Sequence, residues 1–174
     1  EFLMKAGVPM LVEKPLSNST KGVESLLELE KELDVACLMG YVLRHDQCAG
    51  MFKKCLDDGR LGQHLHARIE CASYLPEWRP NQHYKKTVSA SKELGGGVLL
   101  ELSHELDYIG WLLGDIQNVI GKITESRILG IDVEDSVDII LENSNGLPIS
   151  VHLDFNRRSS TRSFTVYGEK GELV

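Results

Sequence analysis

The sequence lacks long hydrophobic runs and any excess of basic residues. No stretch reaches 18 uninterrupted apolar residues, so we expect no membrane-spanning helix. Lysine and arginine number 19 against 26 aspartates and glutamates, which gives a net charge of −7. A chain this acidic has no general electrostatic attraction for nucleic acid and is repelled by anionic membrane surfaces. We therefore expect neither nucleic acid nor a membrane as a partner.

The sequence also lacks C-x-x-C pairs and a signal-peptide layout at its N-terminus. With 174 residues the chain can bury a core without disulfide bonds. We expect reduced thiols and a cytoplasmic location. Proline (5) and glycine (16) are at ordinary globular levels, which excludes a disordered or collagen-like chain. The four cysteines to which this expectation applies are Cys37, Cys48, Cys55 and Cys71.

The first residues have the pattern of the end of an α/β unit. Residues 8–12 form a short apolar run bounded by Gly7 and Pro15, which is typical of a fully buried strand in a parallel sheet. A single parallel strand needs neighbours, and we expect them upstream of Glu1. Residues 164–167 alternate like a strand close to the last residue, Val174. We therefore expect the natural protein to continue at both ends.

Hydrophobic periodicity predicts mixed helices and strands, followed by a run of strands. An Asn145-Gly146 pair marks a hairpin turn within that run. This order predicts an α+β fold whose open, mainly antiparallel sheet is a meander with helices on one face. The predicted helices are 20–33, with Thr20 as the cap, 47–56 and 98–113; the predicted strands are 35–43, 64–73, 119–124, 136–141, 147–154 and 162–167.

The first candidate functional segment is Glu13-Lys14-Pro15, just after the first strand. Ligands of open α/β sheets bind outside the carboxyl ends of the strands. Pro15 keeps Lys14 extended, so we expect the ammonium group to point outward beside a carboxylate. Lys14 could polarise an oxygen, or transfer a proton if burial lowers its pKa. The alternative is an exposed lysine in a turn.

The second candidate is the predicted helix 98–113. At about 100° per residue, Glu101, His104 and Tyr108 share one face, with Asp107 on its flank. A histidine within one turn of a carboxylate suits general acid–base catalysis. The alternatives are a solvated polar face and a metal site of Glu101, His104 and Asp107, although positions i and i+6 diverge by about 120°. The opposite face carries Leu102, Leu106, Ile109 and Leu113.

The third candidate is the segment 74–97, which has no sustained periodicity. Connections longer than about 15 residues are usually functional when they are ordered. Trp78 and Arg79 could cover a flat ring or bind a phosphate; the alternative is a surface loop that Trp78 anchors. Arg44, just after a predicted strand, is either an anion contact or part of a surface salt bridge.

Four segments in this order resemble the glucose–fructose oxidoreductase / inositol dehydrogenase family, known as Gfo/Idh/MocA. Glu-Lys-Pro combined with a glycine triplet and a following histidine is the more specific part of the match. Residues 74–79 also resemble members found in sugar and sugar-nucleotide metabolism. The matching segments are AGVPMLVEKPL (6–16), GYVLR (40–44), GGGVLLELSHELD (95–107) and YGEKG (167–171).

The resemblance implies an oxidoreductase that uses NAD or NADP and a sugar-like or sugar-nucleotide substrate. Residues 1–15 would be the tail of a Rossmann-type dinucleotide-binding domain. Residues 16–174 would be most of an α+β domain for substrate binding, with homo-oligomers formed through its antiparallel sheet. No G-x-G-x-x-G turn is present, so we expect residues 1–174 alone to be inactive.

The resemblance also implies roles for individual residues. Lys14 would lie near both nicotinamide and substrate, and His104 would transfer the proton. The family usually has an aspartate four residues before this histidine; here Leu100 holds that position and Glu101 is the candidate replacement. The cofactor-binding set would be Glu13, Lys14, Pro15 and Arg44, and the substrate-binding set Lys14, Trp78, Arg79, His104, Asp107 and Tyr108.

Two other classes of function are open to this sequence. One is a non-catalytic module that uses the sheet for assembly or ligand binding. The other is a metal-dependent lyase or hydrolase built on the helix of His104.

Overall fold

A computed structural model describes all 174 residues, which form two compact units, Glu1–Val42 and Leu43–Val174. None of the helices is long and apolar enough to cross a bilayer. In the first unit, β1 and β2 form a two-stranded parallel sheet. The elements of this unit are α1 (Phe2–Lys5), β1 (Met10–Val12), α2 (Val23–Leu33) and β2 (Cys37–Met39).

The first unit corrects three expectations. Within residues 1–174, β1 pairs with β2, and Leu11 is 73% exposed rather than fully buried. The neighbours expected upstream of Glu1 stay a prediction. Gly22, with φ 82°, precedes α2 where Thr20 was predicted as the cap. The strand predicted to reach residue 43 ends at Met39, because the amides of Tyr41 and Val42 bond to carbonyls only two residues back.

The predicted domain boundary after Pro15 differs from the boundary of this unit. Because β2 pairs with β1, the compact unit extends to Val42. The assignment of residues 1–15 to a dinucleotide-binding domain stays a prediction.

The second unit is built on a six-stranded sheet. Its strand order is β4-β5-β6-β3-β7-β8, and all neighbours are antiparallel except β3 and β6. The predicted α+β class is therefore confirmed, but the sheet is not a simple meander, because β3 lies between β6 and β7. The elements are α3 (Gln47–Asp57), β3 (His64–Ala72), α4 (Val98–Glu101), α5 (Ser103–Leu113), β4 (Ile116–Thr124), β5 (Ser136–Asn143), β6 (Pro148–Asp154), β7 (Thr161–Gly168) and β8 (Gly171–Leu173).

One face of this sheet carries the hydrophobic core. Alternate residues of β3, such as Ala67 and Ile69, pack with Val151 of β6 and Ile109 of α5 in a single buried cluster. The apolar residues that alternate along the strands and those of the stripe on α5 pack together here, as the sequence predicts. The Asn145-Gly146 turn joins β5 to β6, with the Gly146 amide bonded to the Asn143 carbonyl at 2.9 Å.

The predicted single helix 98–113 is two helices. Leu102 leaves helical geometry (φ −99°, ψ 26°) and its side chain is buried. The start of α4 is fixed by Glu134, whose carboxylate accepts from the Leu99 amide at 3.1 Å. A Cβ at Gly97, which has φ 112°, would collide with that carboxylate, so the position requires glycine.

The opposite face of the sheet, called here the open face, carries His152 between two carboxylates. Its Nδ1 lies 2.7 Å from Asp138 and its Nε2 lies 3.0 Å from Asp154. Burial disfavours the imidazolium, but the two hydrogen bonds and charges outweigh it and the pKa of His152 is raised. Both ring nitrogens then donate, and the protonated ring links β5 to β6.

We predict that His152→Gln changes the pH dependence of stability. A raised pKa in the folded state stabilises the fold fully below the unfolded pKa of about 6.5, and this contribution is lost as pH rises through the folded pKa. The free energy of urea unfolding should therefore differ most between wild type and variant near pH 6, and the difference should shrink toward pH 9. His45→Gln, at an exposed histidine, is the control. A difference that stays constant over this range would contradict the prediction.

Candidate active site

In the first unit, Glu13-Lys14-Pro15 directly follows β1, as predicted. The Gly40 amide donates to the Val12 carbonyl at 2.7 Å, so the carboxyl ends of β1 and β2 lie side by side. A Cβ at Gly40 would lie 3.1 Å from Glu13 Oε2. This edge combines a lysine and a carboxylate with the ends of two parallel strands, which fits a cofactor lying against strand ends.

In the second unit, a cavity of about 790 Å³ lies where β3 ends and β7 begins; it is called here the main cavity. Its lining includes three candidate residues that were predicted from two separate segments of the sequence: Trp78, Arg79 and Glu101. The complete lining is Cys71, Ala72, Ser73, Tyr74, Glu77, Trp78, Arg79, Glu101, Leu102, Ser160, Thr161 and Arg162.

Aromatic side chains form one wall of the main cavity. The Trp78 indole donates to Ser73 Oγ at 2.7 Å and packs edge-on against Phe155, with ring centroids 5.1 Å apart. The Arg158 guanidinium lies 3.5 Å from the centroid of Tyr74. The anchoring role predicted for Trp78 is therefore present, and Trp78 also lines the cavity.

An ion pair that the sequence patterns did not predict lies at the edge of this cavity. Arg162 Nε lies 2.7 Å from Oε1 of Glu105, whose side chain is 1% exposed, whereas that of Arg162 is 51% exposed. Cys71 lies next to both, and burial, reinforced by the Glu105 charge, raises the pKa of its thiol to about 11. The signal was in the strand pattern: if Phe164 and Val166 face the core, so does Arg162, and an inward arginine needs a carboxylate.

The helix break separates residues that a continuous helix would place on one face. Glu101 lines the main cavity, but Tyr108 lines a second cavity of about 330 Å³ together with Glu105 and Arg162. The prediction that Glu101 and Tyr108 share one face is therefore wrong, because Leu102 interrupts the helical repeat. Burial raises the pKa of Tyr108 to about 12.

His104 lies in the first turn of α5, one turn before Asp107. Asp107 forms a two-pronged pair with Arg44: Nε to Oδ2 at 2.7 Å and Nη2 to Oδ1 at 2.6 Å. The salt bridge expected for Arg44 is therefore present, and its contact with a bound anion stays a prediction. The convergence of Lys14 and His104 on one pocket stays a prediction. The structure contains no group of three or more His, Cys, Asp or Glu side chains that could hold a metal ion.

Comparison with known proteins identifies the class of this fold. Residues 51–174 match the GFO/IDH/MocA C-terminal domain. The chain therefore belongs to the GFO/IDH/MocA family, as its resemblance implied.

Three relatives are representative. The chain is 27% identical to a 1,5-anhydro-D-fructose reductase of Ensifer adhaerens over 98% of its own length and 50% of that protein. GenD2 from gentamicin A biosynthesis, solved with NAD, has a TM-score of 0.84 at 23% identity, over 98% of this chain and 48% of GenD2. The WlbA dehydrogenase of Bordetella pertussis, solved with NADH and UDP-GlcNAcA, has a TM-score of 0.84 at 22% identity, over 98% and 49%. The chain thus spans about half the length of these relatives.

We predict an asymmetric loss of stability when the Glu105–Arg162 pair is broken. Arg162→Met leaves a buried carboxylate without its cation and should cost about 3–5 kcal/mol in the free energy of urea unfolding at pH 7. Glu105→Met leaves a half-exposed guanidinium that water can solvate, so its cost should be smaller, about 1–2 kcal/mol. The double variant should recover most of the loss.

Arg60→Met is the control, because Arg60 pairs with Asp58 at the surface. Equal losses of stability in the two single variants would contradict the prediction, which rests on Glu105 being buried and Arg162 half-exposed.

Proposed function

We propose that the full-length protein is an NAD(P)-dependent oxidoreductase. It transfers a hydride between nicotinamide and a carbinol or carbonyl carbon of a sugar-like or sugar-nucleotide substrate. The observation that carries this proposal is the main cavity of a GFO/IDH/MocA domain. Its aromatic wall suits the apolar face of a sugar ring, and Glu101, Arg79 and Arg162 suit the hydroxyl groups around it. The names of the relatives, a sugar reductase and a dehydrogenase solved with a nucleotide sugar, support the same class.

The proposed roles follow from side-chain chemistry. His104 accepts the hydroxyl proton of the substrate, or returns it in the reverse direction, and Glu101 three residues earlier supports the charge that forms on the ring. Lys14 stabilises negative charge that develops on the substrate oxygen. When bound, NAD(P) supplies the hydride chemistry. Glu13, Lys14 and Pro15, at the ends of the parallel strands, are the residues that would hold it, with Arg44.

We further propose that two copies pair through the open face. Ile120 and Ile140 are neighbours in register on this face and are 76% and 54% exposed. Next to them, Lys122, Asp138 and His152 form a row of alternating charge across three strands. An apolar strip beside opposite charges is self-complementary under a two-fold axis.

The cytoplasmic location and the inactivity of residues 1–174 alone stay predictions.

We predict that Lys14→Met in the full-length protein lowers turnover by two or more orders of magnitude, because the developing oxyanion loses its cation. Binding of NADH, measured by the change in its fluorescence, should stay within a few fold of wild type. Lys5→Met is the matched control, since Lys5 pairs only with Glu1 at the surface. Near-normal turnover in Lys14→Met would remove Lys14 from the mechanism.

We also predict that Ile140→Glu in the full-length protein produces monomers, because it places a carboxylate in the apolar strip of each copy. Light scattering coupled to gel filtration would measure the mass. Ile128→Glu is the control, because Ile128 is even more exposed (80% against 54%) but lies in the connection between β4 and β5. If the two variants have the same mass distribution, the open face is not the site of assembly.

A further inference from the structure

Arg162 is placed to act on a ligand in the main cavity. It lines this cavity; its pairing with Glu105 uses Nε, and Cys71 is a second hydrogen-bond partner of the guanidinium. The two terminal nitrogens carry four N–H groups, more than the contact with one thiol can use, so donors are left for a ligand. A guanidinium presents its terminal N–H groups in a rigid fork, which matches two neighbouring oxygen atoms. The buried carboxylate holds the fork in place, so little side-chain freedom is lost when a ligand binds.

The charges around the main cavity are balanced. Arg79 and Arg162 in the lining face Glu77 and Glu101. Outside the lining, Glu105 pairs with Arg162, and Arg158 lies 4.0 Å from Glu77. The cavity and its immediate surroundings thus contain three guanidinium groups and three carboxylates. A site for a carboxylate or phosphate would need an excess of positive charge, which the groups of the second unit do not provide.

We propose that Arg162, neutralised by Glu105, selects an uncharged sugar-like substrate by donating its two terminal nitrogens to a pair of adjacent hydroxyl oxygens. This inference rests on the proposed function of the main cavity and narrows its substrate class. Because Glu105 already compensates the guanidinium, an acidic sugar gains no ion pair there and meets Glu77 and Glu101 instead. Arg162 is therefore a specificity-determining residue, and Glu105 is the positioning residue behind it.

The test uses D-glucose and D-glucuronate, which share one ring and differ in charge. Their dissociation constants for the full-length protein are measured by isothermal titration calorimetry at pH 7. Wild type should bind D-glucose at least as tightly as D-glucuronate. Glu105→Gln keeps the size of the side chain but removes its charge, and should shift the ratio of the two constants about tenfold toward D-glucuronate. Arg162→Lys, which keeps the cation but not the fork, should weaken D-glucose binding about tenfold.

Glu142→Gln is the matched control, because it removes an exposed carboxylate from a strand end far from the lining residues and should leave the ratio unchanged. Circular dichroism of each variant shows whether it is folded, and both test variants retain a side chain of similar size. Tighter binding of D-glucuronate by wild type, an unchanged ratio in Glu105→Gln, or no binding of either sugar would overturn the proposal. Turnover with NAD(P) is measured separately. If the ratio shifts as expected but no hydride transfer occurs, the proposed reaction is rejected and the proposed role of Arg162 in substrate selection is retained.

Discussion

The buried contact between Glu105 and Arg162 is the interaction on which the candidate site depends. Glu105 is on α5 directly after His104, and Arg162 is the second residue of β7. The pair therefore fixes the start of α5 against the sheet at the edge of the main cavity. A carboxylate this deeply buried is retained only with its cation, because desolvation makes the unpaired charge costly. Local geometry at His104 thus depends on a contact 57 residues apart in the chain.

A second constraint acts on the other side of the same helices. Glu134 bonds to the Leu99 amide and occupies the space beside Gly97, which ties α4 to the chain just before β5. The glycine triplet therefore has a structural reason, since a side chain at residue 97 would displace the carboxylate. Between these two ties Leu102 departs from helical geometry and turns its side chain into the core. Glu101 consequently faces the main cavity, while the residues of α5 follow a separate repeat.

Local patterns predicted the elements better than the site. Alternation along β3, β5 and β6 identified strands whose odd residues are in the core, and the apolar stripe of α5 was identified from its 3.6-residue period. Three interactions lay outside the reach of such patterns: the parallel insertion of β3 beside β6, the break at Leu102 and the partner of Arg162. Each depends on residues distant in sequence, so no window of ten or fifteen positions contains the information.

The main cavity and the open face lie on opposite sides of the sheet, and strand register keeps their residues apart. In β7, Arg162 faces the core side and the next residue, Ser163, faces the open side; in β3, Cys71 and Glu70 divide in the same way. A slip of one residue would move Arg162 to the open face and bury a polar neighbour in its place. Arg162 stands opposite Cys71 and Glu70 stands opposite Ser163, so the Glu105–Arg162 pair is correct in only one register of β3 and β7. The same contact that positions the cavity therefore also specifies the pairing of the strands that carry it.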